Sequence, residues 1–508
     1  MLAQVRTHEE YLSFMVPRIK QLFLEKPGQV LFYLDAALKA CMLNFDNGSD
    51  LLLGCYSKNF GRPAEFEPAD MLRSLVLMTS LKITSIAKWA SCLENSNVLA
   101  ILSGFEPGKT PSASAFYDFW NRLWLEDKRL RKERKKRLRK KSKKPKNAKK
   151  GEKLPNRRPG VVGRLVKSFQ KGKFFSTKRP ARLLQELFTK VFVEGSKDKA
   201  IIPDNMTLAG DGSPFESCSS PFGIPVCDCR RKGIYQCDCL RRYSDVYANW
   251  GYDSSRNEYF WGRNLYTLTC VNGESELPVY LRFGQGSRHD SVLFAFSVVE
   301  AWPLFAKAGL DVTIFVGDSA HDAHALYTLS AEYGVKPVID LNKKPASTIS
   351  LNEQGIPLCP KGFMMQYWGF DKKKCRFKWR CPKITGKKKD RDKVDCTSPC
   401  IDSAYRMTCY TKAEWDPRIF TSIPRGSALW KKLFRRRSAS ERVNKRYNDF
   451  GLDTNRSREN CYWYHLAHLA AMNMHLDAWV KKELNITGLN KKGLLLRFLG
   501  FGTQAACA

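Results

Sequence analysis

The feature that most constrains the fold is a series of short apolar runs between residues 199 and 342, two of which end in an aspartate. Strand-like runs cover 206–210, 265–271, 277–283, 311–317 and 335–339, and helix-like runs cover 290–307 and 320–333. This order predicts a mixed α/β sheet with helices packed on it. Asp211 and Asp318 each close an apolar strand, so both carboxylates are expected at a sheet edge that a ligand can reach.

The segments on either side of this α/β region differ from it in pattern. Residues 1–125 have apolar positions at helical spacing, and helices are expected at 69–78, at 85–93 and from Ser112 or Ser114 onward. These helices fit either a helix-turn-helix or an ordinary bundle, and the sequence leaves both open. A basic linker or arm is expected at 126–198, a cysteine-rich insertion at 343–428 and further helices within 429–508.

Charge identifies the expected partner. The chain carries 86 Lys and Arg against 50 Asp and Glu, a net charge of +36. Such a surplus attracts polyanions, and nucleic acid is the expected partner because neutralised phosphates release their counterions. The run 128–153 holds 17 Lys or Arg and two Glu. It is expected to contact DNA phosphates, with Lys135, Lys136 and Arg137 at its centre, and a solubilising linker is the alternative.

The sequence also bears on the compartment. Its first residues lack the charged start, apolar core and cleavage site of a secretory signal, and no apolar window is long enough to cross a bilayer. We therefore expect a cytoplasmic protein with no membrane partner. Its 17 cysteines would lie in a reducing compartment, where metal ligation or burial is expected in place of disulfides.

Two groups of cysteines are candidates for structural zinc. Four thiols, in two C-x-C pairs separated by seven residues, are close enough in sequence to bind one tetrahedral Zn²⁺. These are Cys227, Cys229, Cys237 and Cys239. Reduced cysteines in a flexible loop are the alternative. In the insertion, a second and less favoured zinc site would use Cys375, Cys381, Cys396 and Cys400. Either ion would replace a core that a short segment lacks.

A third acid, Glu441, lies in a basic helical stretch, where pairing with a neighbouring arginine is the simplest interpretation. In combination with the two strand-end aspartates, however, it completes a pattern. The stretches 208–213, 315–322 and 437–445, together with 61–63, 71–73 and 111–114, resemble the DDE transposases of insertion sequences. They are similar to the group with a Y-R-E-K signature and an inserted domain before the Glu. The resemblance covers most of the chain.

The signature positions are Phe434, Arg437, Glu441 and Asn448. Arg and Glu match the signature, whereas Phe replaces Tyr and Asn replaces Lys. Either Lys445 or Arg446 is expected to supply the missing cation.

The resemblance implies an RNase H-like catalytic core, built from 199–342 and 429–508, and a DNA-binding role for 1–125. Asp211, Asp318 and Glu441 would be the catalytic carboxylates, holding two Mg²⁺ ions for which Mn²⁺ can substitute. The two ions would activate the attacking oxygen and stabilise the leaving oxygen at phosphorus, and Arg437 would position a phosphate. The implied activity is DNA cleavage at the element ends and strand transfer into target DNA. The implied partners are the terminal inverted repeats, target DNA and a second copy of the chain.

Some alternatives stay open. Asp322, expected one turn into a helix, is a less favoured substitute for Asp318, and Asp290 is interpreted mainly as a helix N-cap. Three other functions compete with transposition. They are a catalytically silent or domesticated DNA-binding protein with the same fold, another RNase H-like nuclease, and a zinc-stabilised nucleic-acid binder without activity.

Overall fold

The computed structural model describes residues 4–56, 63–125, 133–135, 160–173, 179–342, 350–385, 388–412 and 415–501. Most of the basic run, including Lys136 and Arg137, lies outside the described residues.

The first 125 residues are helical, as predicted. The helices are α1 (His8–Glu25), α2 (Pro27–Phe32), α3 (Leu34–Met42), α4 (Ser49–Leu53), α5 (Pro68–Ser80), α6 (Ile86–Glu94), α7 (Asn97–Ser103) and α8 (Ala113–Leu123). The side chains of Ser85 and Ser112 accept hydrogen bonds from the backbone at the starts of α6 and α8, so both predicted starts are confirmed. Helix α5 is buried over almost its whole length. The choice between a helix-turn-helix and a bundle stays open.

The segment between these helices and the sheet spans residues 124–204. It contains β1 (Glu133–Lys135), α9 (Val161–Gln170), α10 (Arg182–Phe188) and α11 (Glu194–Asp198), with a π-helical turn at Thr189–Val193 between the last two. Within the basic run, β1 is the part whose backbone the structure describes.

The central sheet follows. Its region contains β2 (Asn205–Glu216), β3 (Ile224–Pro225), β4 (Leu240–Arg242), β5 (Asn249–Asp253), β6 (Glu258–Cys270), β7 (Leu277–Gln285), α12 (Asp290–Lys307), β8 (Asp311–Gly317), α13 (His324–Glu332) and β9 (Lys336–Ile339). The strands run in the order β7-β6-β2-β8-β9, and β5 pairs with the first part of β6. The first three strands are antiparallel, whereas β2, β8 and β9 are parallel. This mixed sheet, with the first strand in the centre and the fourth beside it, is RNase H-like, as the resemblance implies.

Two layers of helices cover the sheet. Helix α12 packs on one face through apolar residues such as Phe294, whose ring stacks on Phe315 of β8 at 4.0 Å. The other face, at Ala209, Val316 and Val338, is covered by residues from the C-terminal part of the chain. The loop between β2 and β5 adds a separate three-stranded sheet in the order β1-β4-β3.

The insertion forms an antiparallel sheet of its own. It contains β10 (Gln366–Asp371), β11 (Arg376–Arg380), α14 (Lys388–Asp392) and β12 (Thr408–Thr411). A small cluster that includes Ile356, Phe377 and Trp379 is its core. The insertion thus has a hydrophobic centre that the sequence interpretation did not give it.

The chain ends in α15 (Ala428–Phe434), α16 (Ser438–Asp449), α17 (Asn460–Thr487) and α18 (Lys491–Phe498). A 3₁₀ turn at Arg435–Arg437 separates α15 from α16. Leu433 before this turn and Ala439 after it both pack on the same sheet face. The helix predicted at 320–333 is also divided, because a 3₁₀ turn at Ser319–His321 precedes α13.

Helix α17 joins the N-terminal helices to the sheet. Asn473 donates a hydrogen bond to the carbonyl of Val76 in α5. On another side of α17, Nε2 of His475 lies 2.8 Å from the Pro278 carbonyl of β7, and its Nδ1 accepts a hydrogen bond from Ser196. The helices of 1–125 and the sheet therefore share one hydrophobic core.

Three buried histidines in α17 are expected to make the fold sensitive to acid. Burial lowers the pKa of His465 and of His475 to about 4 and that of His468 to about 3. The unfolded chain takes up these protons below about pH 6.5, whereas the folded chain stays neutral there. The free energy of unfolding should therefore fall as the pH drops from about 6.5 towards 4, by up to about 1.4 kcal/mol per pH unit for each histidine.

Urea unfolding across that pH range tests this prediction. His468→Gln should reduce the slope of the free energy of unfolding against pH by up to about 1.4 kcal/mol per pH unit, the contribution of one proton. His324→Gln, at an exposed position of α13, should leave the slope unchanged. Equal slopes in wild type and His468→Gln would contradict the prediction.

Candidate active site

The pairing of β2 with β8 places the two strand-end aspartates side by side. The parallel register pairs Ala209 with Val316. Asp211 and Asp318 lie two residues beyond these partners, each at the carboxyl end of its strand's parallel pairing. Since paired strands are about 4.8 Å apart, the register brings both carboxyl groups to one edge of the sheet. The sequence prediction that these two acids meet is supported by this geometry.

Two glycines flank Asp211 and make room for other polar groups on the α12 face. A Cβ atom at Gly210 would collide with the Tyr266 hydroxyl, and one at Gly212 would collide with the Asp290 carboxyl. Asp290 therefore lies against the backbone of β2, immediately beside Asp211. The N-cap of α12 is His289, whose ring accepts a hydrogen bond from the Ser291 backbone. The interpretation of Asp290 as the N-cap was wrong, because Asp290 is the first helical residue.

Helix α16 supplies polar side chains from the opposite face. Asn444 donates a hydrogen bond of 3.1 Å to Oδ2 of Asp211. Glu441 lies one turn earlier on the same side of the helix and is close enough to raise the pKa of Asp211. Arg437, a further turn back, donates a hydrogen bond of 2.6 Å to Glu441. The three side chains form one stripe along α16 above the strand ends.

The crowding of carboxylates controls the protonation of this site. Burial, followed by the charges of Asp290 and Asp318, raises the pKa of Asp211 to about 7. Burial also raises the pKa of Asp290, and the charge of Asp318 adds to this effect. Desolvation and like charges both disfavour ionisation, so the cluster as described has an electrostatic cost that a cation would relieve.

His321 offsets part of this charge. Its ring is fully buried, with Nδ1 at 2.8 Å from Oδ1 of Asp318 and Nε2 at 2.8 Å from the Tyr266 hydroxyl. Burial alone would lower the pKa of His321, but its hydrogen bond to Asp318 and the charge of that carboxylate raise it. At Asp318 burial acts to raise the pKa, but this hydrogen bond, the charge of His321, the Ala320 backbone and Arg437 together lower it. His321 therefore holds Asp318 ionised and fixes its orientation.

Asp322 is engaged elsewhere. Its buried carboxylate accepts two hydrogen bonds from Nε of Arg418, at 2.9 and 3.0 Å, and one from the backbone of Asn342. It also accepts a hydrogen bond from Tyr327. The expectation that Asp322 lies one turn into a helix was wrong. It precedes α13 and ties the insertion to the sheet, so it is a poor substitute for Asp318.

The predicted DNA-contacting cations fall into two groups. Arg437, Lys445 and Arg446 lie on or next to α16, and Lys445 is exposed. Arg446 donates a hydrogen bond of 3.4 Å to the Glu276 carbonyl. Lys135 lies in β1, for which only the backbone is described. Contact of these residues with DNA stays a prediction.

The first group of cysteines comes together as predicted. Sγ of Cys227 is 3.7 Å from Sγ of Cys237, and Sγ of Cys229 is 3.6 Å from Sγ of Cys239. The four sulfurs all lie within 4.8 Å of one another and could hold a metal ion.

The second group of cysteines does not come together. Cys375, Cys381, Cys396 and Cys400 form no such cluster in the part of the chain that the structure describes. Cys375 is exposed in the β10–β11 turn, whereas Cys381 and Cys396 are buried, so the spacing in sequence did not become proximity in space.

Sequence reasoning undervalued three residues of this site. Asn444 was missed, although its position three residues after Glu441 puts it on the same helical face. His321 was not assigned a role, because nothing in the sequence indicated its bond to Asp318. Asp290 was given a minor role, because a helix-starting acid after His289 is common and its approach to β2 depends on Gly212.

An RNase H-like sheet with carboxyl groups gathered at the ends of its first and fourth strands is typical of proteins that cut or join nucleic acids. The comparison with known families agrees. The family described as transposase DDE domain matches residues 205–467, just over half of the chain, and the chain therefore belongs to the DDE transposases. This membership implies a DNA substrate, nuclease or transposition activity and the use of divalent metal ions. No protein among the curated ones compared with the chain matches it.

No helix in the part of the chain that the structure describes is both long enough and apolar enough to cross a bilayer.

The carboxylate cluster is expected to destabilise the metal-free protein at alkaline pH. The raised pKa of Asp211, about 7, means that the folded state holds a proton that the unfolded chain releases near pH 4. Stability from this group is thus lost as the pH rises from about 4 to 7. In EDTA at pH 8, Asp211→Asn should increase the free energy of unfolding by about 2 kcal/mol. At pH 4 the increase should vanish.

The control for this measurement is Asp449→Asn, at an exposed position of α16. It should change the free energy of unfolding by less than about 0.5 kcal/mol at both pH values. If Asp211→Asn instead lowers the free energy of unfolding at pH 8, other groups in the protein already offset the cost of the Asp211 carboxylate, and the prediction is wrong.

Proposed function

We propose that this protein is an active transposase that cleaves DNA at the ends of its element and joins them to target DNA. The observation that carries the proposal is the register of β2 and β8, which sets Asp211 and Asp318 side by side. Asp290 and Glu441 lie close enough to shift the pKa of Asp211. Four carboxyl groups around one sheet edge fit phosphodiester chemistry better than the other functions considered.

The donor set fits hard divalent cations. Asp211, Asp318 and Glu441 offer carboxylate oxygens, the ligands that Mg²⁺ prefers, and Asp290 is a further candidate. Two Mg²⁺ ions, or Mn²⁺ in their place, would supply an activated attacking oxygen and a stabilised leaving oxygen. The mutual repulsion that raises the pKa of Asp211 supports this assignment, because bound cations would remove it.

The side chains around the carboxylates have distinct proposed roles. Asp211, at the centre, would hold metal together with Asp318 and Glu441, and Asn444 orients its Oδ2 through their hydrogen bond. His321 keeps Asp318 ionised and in place from within the core. Arg437 pairs with Glu441 in the protein alone. If Glu441 held a metal ion, Arg437 would be available to a DNA phosphate, whose geometry matches guanidinium.

The charge of the chain supports binding of duplex DNA over a long path. The net charge of +36 is divided between the basic run 128–153 and the rest of the protein. We assign terminal inverted repeats and target DNA as partners, and a homodimer or larger assembly on DNA, because two element ends must be joined together. With DNA as the substrate, we place the protein in the cytoplasm at the nucleoid.

Cleavage and strand transfer test the proposal. The substrate is a labelled duplex that carries the DNA flanking this gene, with Mg²⁺ present. Wild type should cut at the element ends, and Asp211→Asn, Asp318→Asn and Glu441→Gln should each reduce the rate by more than about a hundredfold. All three should still bind the duplex. Asp322→Asn, which removes a carboxylate bound to Arg418, should retain cleavage if the protein folds. Binding without cleavage by wild type, in Mg²⁺ and in Mn²⁺, would establish a binding-only protein.

Metal binding can be measured without DNA. At a concentration about a hundred times its Kd, a cation that binds only the folded state adds about 2.7 kcal/mol of stability. Mn²⁺ should therefore raise the melting temperature of wild type by several degrees. Asp211→Asn and Asp318→Asn should lose most of this increase, while Asp449→Asn keeps it. An equal increase in melting temperature in all variants would mean that Mn²⁺ binds outside the carboxylate cluster.

A further inference from the structure

We propose that Cys227, Cys229, Cys237 and Cys239 bind one structural Zn²⁺, and that the loop closed by this ion contacts the DNA backbone beside the active site. The second half of this proposal rests on the proposed function, since it requires DNA to lie across Asp211 and Asp318.

The distances between the sulfurs match zinc. Four thiolates at about 2.3 Å from a tetrahedral Zn²⁺ are separated from one another by about 3.8 Å. The two measured Sγ–Sγ distances, 3.7 Å and 3.6 Å, agree with this spacing. A disulfide would need about 2.05 Å, far shorter than either.

The loop needs such an ion because it has little core. From 228 to 242, the residues other than cysteines are almost all exposed. Tyr235 is 72% exposed and Phe222 77% exposed. In contrast, the base of the loop is firmly fixed. Asp245 accepts hydrogen bonds from Arg263, with which it forms a fully buried ion pair at 2.7 Å, and from Ser217. A metal at the cysteines would hold the far end in the way that structural zinc replaces a core in small modules.

The tip of the loop carries cationic side chains, which phosphates attract. Between Cys229 and Cys237 stand Arg230, Arg231 and Lys232, with no acidic residue among them. All three are exposed, and Arg231 is 3.7 Å from Asp228 in a surface ion pair. The turn is compact, because Gly233 adopts a φ of 74° and the Ile234 backbone bonds to the Cys229 carbonyl. Three cations on one fixed turn suit a polyanion backbone.

The position of the loop points to DNA as that polyanion. Strand β2 continues for five residues past Asp211 to Glu216 before the loop begins. At about 3.3 Å per residue, the loop starts about 17 Å further along β2 than Asp211. That distance corresponds to about five base pairs of duplex. On the loop itself, β4 pairs with β1 of the basic run, and Leu240 stands opposite Lys135. The metal-held loop thus also fixes the point from which the basic run extends.

The metal is tested first, on the full chain. Inductively coupled plasma mass spectrometry should find one zinc per chain. Cys229→Ser combined with Cys239→Ser should lose it, and Cys375→Ser, an exposed cysteine of the insertion, should retain it. Protein loaded with Co²⁺ should show the intense visible absorption of tetrahedral thiolate coordination. A wild type that is purified under reducing conditions, has its four thiols free and still contains no zinc would overturn the proposal.

The DNA contact is tested with the cysteines intact. The tip variant combines Arg230→Ala, Arg231→Ala and Lys232→Ala, and its zinc content should equal that of wild type. Binding to a labelled duplex of arbitrary sequence, measured from about 50 to 200 mM salt, should show a log–log salt dependence reduced by about 2 to 3. The matched control removes Lys372, Lys373 and Lys374, three exposed cations of the β10–β11 turn. An equal reduction in both variants would mean that the tip contributes only bulk charge, and the proposal would fail.

The outcome is separable from that of the proposed function. Asp211→Asn should abolish cleavage while zinc content and salt dependence stay as in wild type. If wild type binds zinc and DNA through the tip but never cuts, the catalytic proposal fails and this inference stands. If wild type cuts DNA and the tip variant binds DNA as well as wild type does, the catalytic proposal stands and the proposed DNA contact of the loop fails.

Discussion

The site depends on the hydrogen bonding of β2 along both of its edges. On one edge β2 pairs with β6 in antiparallel register from Leu208 to Glu216, and on the other it pairs with β8 in parallel. A one-residue slip in either ladder would turn the side chain of Asp211 to the opposite face, away from Asn444 and Glu441. Residues 206–210 of β2 and 315–317 of β8 are buried without interruption, and this burial fixes the register. Core packing and active-site geometry are therefore set by the same hydrogen bonds.

The carboxylates show how function opposes stability in this fold. Placing Asp211 and Asp290 together with Asp318 costs free energy through desolvation and repulsion, as the raised pKa of Asp211 indicates. The surrounding core tolerates this cost because His321 and Asn444 satisfy individual oxygens. Such a locally unfavourable cluster is expected where selection acts on chemistry, and the rest of the domain must compensate for it.

Much of the sheet could be predicted, because each strand carries its own signal. The apolar runs ending at Asp211 and Asp318 were short, β-rich and bounded by glycine, and the observed bounds of α12 and β8 match the expected ones. The positions at which helices are interrupted were harder to predict. Three consecutive arginines at 435–437 read as ordinary helix, since the reason for the 3₁₀ turn lies in the sheet face that Leu433 and Ala439 must both reach.

The contacts of individual side chains were hardest to predict. Asp322 resembled a metal ligand in sequence, but its partner Arg418 is 96 residues away in the insertion. Likewise, the two cysteine groups looked similar, and only the first is gathered by a loop with a fixed base. Proximity within a few residues can be inferred from spacing, whereas proximity created by tertiary packing leaves no local trace.

Helix α17 has a consequence for how copies of such an element decay. It contributes Asn473 to α5 and His475 to β7, so the N-terminal helices and the sheet are completed by the same late segment. A gene copy interrupted before this helix would leave α5 with an uncovered apolar surface, and its product would be a target for proteolysis. Substitutions within the carboxylate cluster leave these contacts of α17 in place, so loss of the site and loss of the fold are separate events in this chain.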